Sequence, residues 1–133
     1  MRIELINQEI IKNKKGNIKK FLNKKDSIFR GFGECYFSEI KSKNFKGWKK
    51  NLTTFQMLTV ISGNVKFFLI DDRIKKKLTK KEFILDDNKN FKKLIIPKNV
   101  WYGFKNLSKK TSIIFNFLNY EHKKTKIITK EII

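Results

Sequence analysis

The 133 residues are 40% hydrophobic and 14% aromatic, with 13 Phe, which excludes a disordered chain and suits one domain with a single core. No apolar run reaches the roughly 18 to 20 residues of a membrane span, the opening MRIELINQEI lacks a signal-peptide cleavage site, and a single cysteine, Cys35, excludes an internal disulfide and fits a reducing cytoplasm. The net charge of +20 rests on 29 Lys against 3 Arg, beside 13 Asn and no Ala; scattered lysine of this kind suits the coding bias of an AT-rich genome better than the arginine chemistry that grips phosphate, so no specific nucleic-acid partner is expected.

In chain order, residues 2–6 alternate as a first strand. Asn13 to Asn17 form a turn, a short strand follows through Ile18 and Phe21-Leu22, and 24–27 is a loop. Over 32–40, FGECYFSEI, the residues Phe32, Glu34, Tyr36, Ser38 and Ile40 share one face. Glu34 and Ser38 beside Tyr36 suit a barrel interior that binds something polar, and equally an ordinary solvated face. Cys35, within this strand, reads as a core residue rather than a nucleophile. After a turn at 41–44, Phe45-Lys46-Gly47-Trp48 opens another strand.

Residues 54–73, TFQMLTVISGNVKFFLIDDR, organise the rest of the chain. Phe55, Met57 and Ile61 share one parity, and Val65, Phe67 and Leu69 share one beyond Ser62-Gly63-Asn64, which reads as the turn of a core hairpin. The other parity, Leu58, Val60, Phe68 and Ile70, is apolar too, so the hairpin belongs inside a sandwich or barrel. Residues 73–81, RIKKKLTKK, read as a solvated loop, 82–85 as a strand and DDNKN at 86–90 as a turn. LIIPKNVWYGF, 94–104, reads as two strands parted by Pro97, the only proline. A late strand at 111–118 and a tail at 123–133, either a last strand or an arm exchanged between copies, complete the chain. No helical period extends over ten residues. The expectation is an all-β jelly-roll of about ten short strands, with Phe55, Phe67 and Leu69 buried.

Five segments in register, FGECYFSEI, FKGWKKN, GNVKFFLIDDR, LIIPKNVWYGFKNLS and NYEH, resemble the dTDP-4-dehydrorhamnose 3,5-epimerase family, especially its shorter relatives in nucleotide-sugar pathways. The resemblance spans residues 14–122. It implies a cupin-type double-stranded β-helix (jelly-roll) barrel over 1–133 as a single domain. It also implies a cytoplasmic dTDP-keto-sugar epimerase or isomerase of surface carbohydrate and lipopolysaccharide biosynthesis, working without an added cofactor. In that family a histidine removes a proton next to the sugar's keto group, a tyrosine reprotonates the opposite face, and a basic residue stabilises the enolate.

By position, Lys49 stands where the base histidine is expected and Tyr102 where a second active-site histidine is usual. Asp71 matches an aspartate facing that second position, and Tyr120 is the candidate acid. Lys46 replaces an arginine that contacts the nucleotide, Lys15 with Gly16 resembles an Arg-Gly turn, and Gln56 lies near the enolate-stabilising lysine. Glu34, Ser38, Lys66 and Trp101 complete the expected substrate-binding set. His122, the only histidine, falls outside the base positions, and one histidine without clustered cysteines builds no cupin metal site, so no metal is expected.

Two function classes stay open at this point. One is the enzyme; the other is a non-catalytic cupin that keeps an aromatic pocket of Trp48, Trp101, Tyr102 and Phe104 and binds a sugar nucleotide or a partner protein. A homodimer is expected in either case, by strand exchange or sheet packing. Lys46, Lys49, Tyr102 and Asp71 should meet at one barrel mouth, with Glu34 and Ser38 pointing into the same cavity.

Overall fold

A computed structural model describes residues 1–120 and the backbone of 127–129. Among the described residues there are twelve strands and no helix. The first five are β1 (Glu4–Asn7), β2 (Ile10–Ile11), β3 (Ile18–Lys19), β4 (Glu34–Ile40) and β5 (Phe45–Asn51). β6 (Gln56–Ser62), β7 (Asn64–Ile74), β8 (Lys77–Asp86) and β9 (Lys92–Ile96) follow, then β10 (Trp101–Asn106), β11 (Ser112–Leu118) and β12 (Ile127–Thr129). One antiparallel sheet has the order β1-β9-β6-β11-β4, the other β12-β5-β10-β7-β8, and β2 pairs with β3 alone.

The organising stretch is not a hairpin. β6 pairs with β9 and β11, whereas β7 pairs with β10 and β8, so Ser62-Gly63-Asn64 carries the chain from one sheet to the other. Alternation and a Gly-Asn turn report two strands and a reversal, but they do not name each strand's partner. Gly63 is required at this corner. Its φ is +101°, and a Cβ there would lie 2.0 Å from Ser112 Oγ. Asn64 N–H donates to that hydroxyl at 3.2 Å, and Gly63 N–H donates to Asp87 Oδ2 at 3.1 Å, so the corner is tied to the start of β11 and to the turn after β8.

The expected loop at 73–81 is also corrected. β7 runs on to Ile74, a two-residue turn holds Lys76 at φ 68°, and β8 begins at Lys77. Lys77, Lys80 and Lys81 are exposed on this sheet-edge strand, where charge discourages pairing with a further chain. The DDNKN turn forms as read, with Asp86 Oδ1 accepting from the N–H groups of Asn88 and Asn90 at 2.9 Å each.

The sheets face each other across a core that includes Leu58, Val60, Val65, Phe67, Leu69, Leu94 and Ile114, each no more than 1% exposed. The opposite parity of the first sheet forms a second core. Phe55, Met57, Ile95 and Phe117 are covered there by Ile6, Phe21, Leu22, Ile28 and Phe29, which is why β6 is apolar on both faces. Phe55, Phe67 and Leu69 are all buried, although in two different cores. Cys35 is exposed on the edge strand β4, contrary to the core reading, because its parity is opposite to that of Tyr36 and Ser38. In the tail, β12 pairs with β5 of the same chain, while His122 lies outside the described residues.

Candidate functional site

β4, β5, β10 and β11 bring their inward side chains to a pocket of about 160 Å³ between the sheets. Tyr36 and Ser38 come from β4, Lys46 and Lys49 from β5, Tyr102 and Phe104 from β10, and Asn116 from β11. The two lysines owe their common direction to an irregularity. Residues three apart on a regular strand point to opposite faces. In β5, Lys49 pairs with Tyr102 and Gly47 with Gly103, so Trp48 is an extra residue in the ladder. Beyond it Lys46 pairs with Phe104 and again faces inward. Gly47 has φ +151°, and a Cβ there would come within 2.8 Å of Gly103 Cα, so the bulge depends on two glycines lying against each other.

Charge in the pocket is one-sided. Lys46 and Lys49 line it and no carboxylate does. Both lysines keep solvent exposure, and Lys46 Nζ donates to the Glu39 carbonyl at 2.5 Å. Burial pushes the Tyr36 hydroxyl well above the usual tyrosine range, and the neighbouring Tyr102 and Glu34 push it further. Tyr102 is raised by burial as well, partly offset by the Gln56 and Asn51 side chains, which favour its phenolate. At neutral pH both tyrosines are therefore hydroxyl donors. Beneath them Asn51 Nδ2 donates to Gln56 Oε1 at 3.4 Å, and Gln56 Nε2 is buried with no well-formed hydrogen bond. A cationic mouth, two neutral phenols and a floor of amides can hold a diphosphate and stabilise negative charge developing on a carbonyl oxygen.

The structure brings together Ser38, Lys46, Lys49 and Tyr102, with Gln56 directly under Tyr102. Glu34 acts on Tyr36 but does not line the pocket. The remaining expected site residues lie elsewhere. Asp71 forms a two-point contact with Arg73, Nε and Nη2 donating at 2.9 and 2.8 Å, and this holds its carboxyl below the usual range. Arg73 Nη1 in turn donates to the Met1 carbonyl at 2.8 Å, so the pair fastens the chain's start instead of facing Tyr102.

Lys66 and Trp101 are on the outward face of the second sheet, the wrong parity for the pocket. Lys66 pairs with Glu82 at 2.9 Å, and Lys50 lies over the Trp101 ring at 4.7 Å. Trp48 joins Phe45 and Phe68 on that outer face, so of the expected aromatic pocket only Tyr102 and Phe104 line the site. Lys15 is exposed in the β2–β3 turn, and Tyr120, 52% exposed, lines a different cavity with Arg73 and Pro97.

Two side chains that line the pocket, Tyr36 and Asn116, and one that contacts Tyr102 from outside the lining, Asn51, were missed. Tyr36 was recognisable by its parity between Glu34 and Ser38. Asn116 is a polar residue on the inward face of the apolar run TSIIFNFL, and Asn51 ends the FKGWKKN strand; neither carries a signal stronger than that. Among the described residues no group of three His, Cys, Asp or Glu is gathered as metal ligands would be.

Comparison with known proteins gives the same fold. A dTDP sugar isomerase from Desulfovibrio desulfuricans G20 superposes with a TM-score of 0.91 at 26% identity, covering 97% of this chain and 83% of that one. A dTDP-4-dehydrorhamnose 3,5-epimerase from Bacillus anthracis str. Ames, with TDP and PPi bound, gives 0.80 at 17% identity over 93% and 77%. A mutant of the 3,4-ketoisomerase QdtA from Thermoanaerobacterium thermosaccharolyticum, in complex with TDP-4-keto-6-deoxyglucose, gives 0.76 at 20% identity over 95% and 86%. No curated protein sequence matches significantly. Residues 1–129 match the family described as FdtA: WxcM-like, C-terminal. The chain is thus an all-β cupin jelly-roll and belongs to the FdtA, WxcM-like C-terminal family.

Proposed function

We propose that residues 1–133 form one cupin domain that isomerises or epimerises a dTDP-4-keto-sugar without an added cofactor. The observation that carries this reading is the meeting of Lys49, Tyr36 and Tyr102 in one pocket with Lys46 at its mouth. The likeness to the dTDP sugar isomerase, at 26% identity over 97% of the chain, supports the substrate class.

In the proposed reaction Lys49, as the free amine, takes the proton from the carbon next to the keto group. The C–H electron pair moves into a carbon–carbon double bond and the carbonyl oxygen becomes an enolate. The hydroxyls of Tyr102 and Tyr36, kept neutral by burial, donate to that oxygen, where their contacts strengthen as charge develops. In an epimerase Lys49 passes its proton to solvent, and the same carbon takes a solvent proton on its opposite face. In a ketoisomerase the enolate oxygen is protonated, and the hydroxyl on the deprotonated carbon gives up its proton to become the new carbonyl. The former carbonyl carbon then receives the proton from Lys49. Lys46 binds the diphosphate, and Ser38 and Asn116 hold the sugar hydroxyls. A place in the cytoplasm, where sugar nucleotides are made, and a homodimer complete the reading. Exposed Phe32 and Phe37 on and beside the edge strand β4 support the dimer.

The test is solvent deuterium exchange into TDP-4-keto-6-deoxyglucose, followed by NMR. Deuterium next to the keto group is expected; folded protein that binds TDP but exchanges nothing would leave only the non-catalytic binding module.

A further inference from the structure

A second cavity, of about 480 Å³, lies on the other side of the first sheet, between β1, the start of β9 and residues 20–28. The proposed reaction makes no use of it. Lys93, on the outward face of β9, lines this cavity and is only 3% exposed. Among the described residues its ammonium has no hydrogen bond or ion pair; it lies 4.9 Å from the centroid of the Phe21 ring, and Asp26 favours its charge from a distance. Gln8 lines the same cavity. Its Nε2 donates to Thr59 Oγ1 at 2.9 Å, while Oε1 is buried with no partner. Phe21, Leu22 and Ile28 supply an apolar wall. An ammonium without a polar partner and a buried acceptor without one each carry a cost, and both residues line this cavity.

We infer that this cavity is a binding site for a small carboxylate that bears a hydroxyl or amino group on the adjacent carbon and an apolar body. The carboxylate sits on the Lys93 ammonium, the neighbouring donor turns towards the carboxylates of Glu9 and Asp26, and the body lies against Phe21, Leu22 and Ile28. Glu9 and Asp26, which also line the cavity, favour a donor on the ligand over a second acid group.

The full chain is titrated calorimetrically with 2-hydroxy-4-methylpentanoate, leucine, 4-methylpentanoate and inorganic phosphate. At least one of the first two should bind, with 4-methylpentanoate and phosphate about tenfold weaker or more. Lys93→Met, which keeps the stem and removes the charge, should weaken binding about tenfold or more while TDP binding at the barrel pocket is unchanged. In unmutated protein, methyl NMR signals of Ile6, Leu22 and Ile28 should shift on binding and that of Ile114 should not. No binding by any acid to folded protein, binding that survives Lys93→Met, equal binding of the acid lacking the donor, or shifts confined to Ile114 would overturn the assignment.

Discussion

Lys49 and Tyr102 are direct partners in the β5–β10 ladder and both face the interior. Directly opposed residues of an antiparallel pair hold their Cβ atoms about 4.5 to 5.5 Å apart, so an amine and a phenol flank the same small volume although they are 53 positions apart in sequence. The first expectation follows from this pairing. Lys49→Met should cut deuterium exchange into the keto-sugar by about 10²- to 10⁴-fold and leave TDP affinity within about threefold. An unchanged exchange rate would remove Lys49 as the base.

Gly47 carries the bulge that turns Lys46 inward. Gly47→Ala sets a Cβ within 2.8 Å of Gly103 Cα, at a φ of +151°, which costs about 1 to 3 kcal/mol. Urea denaturation should report that loss. TDP affinity should fall towards that of Lys46→Met, since the bulge sets the directions of Lys46 and Lys49 relative to each other. Wild-type affinity in the alanine variant would show that the bulge is not what aims them.

How much of this was legible in the sequence depends on what period two can say. Parity within FGECYFSEI put Tyr36 and Ser38 on one face, and parity within GNVKFFLIDDR put Val65, Phe67 and Leu69 on another; both arrangements hold. Parity also excludes Lys66 from the face of Phe67 and Trp101 from the face of Tyr102, and neither reaches the pocket. Strand partners were not readable, because β6 and β7 are apolar on both faces and fit a hairpin as well as a sheet-to-sheet corner. The common direction of Lys46 and Lys49 was unreadable from alternation, since their spacing of three argues against it and only the extra Trp48 restores it. Asp71 matches the site only by family resemblance, while Arg73, two residues on, offers a closer charge.

Phe67 is fully buried between the sheets and packs against Phe104 with ring centroids 5.8 Å apart. Phe67→Ala should destabilise the protein by about 3 to 5 kcal/mol in urea. Because Phe104 lines the pocket, TDP affinity should fall as well. A cost below about 1 kcal/mol would mean that the core relaxes around the cavity more than a close-packed interior allows.

The buried tyrosines and Lys93 leave opposite marks on stability against pH. Tyr36 and Tyr102 have raised values in the fold, first from burial, whereas unfolded tyrosine ionises near pH 10. Above that pH the unfolded chain has lost protons that the folded chain retains, so stability falls as pH rises. Their contribution is whole below about pH 10 and is lost as pH climbs through the folded values. Lys93 is lowered by burial, so the folded chain holds its proton less readily than the unfolded chain, whose lysines titrate near about 10.4. Stability therefore rises from the folded value of Lys93 up to that pH. Urea midpoints measured from pH 7 to about 11.5 should rise and then fall. Lys93→Met should remove the rise and be no less stable than wild type at pH 7, because a buried unpaired charge is replaced by an apolar side chain of similar length. The Tyr36→Phe, Tyr102→Phe pair should flatten the alkaline fall whatever its effect on the absolute midpoint. A double variant that declines as steeply as wild type above about pH 10 would mean that neither hydroxyl is held protonated by the barrel, and with that the donors assigned to the enolate would be lost.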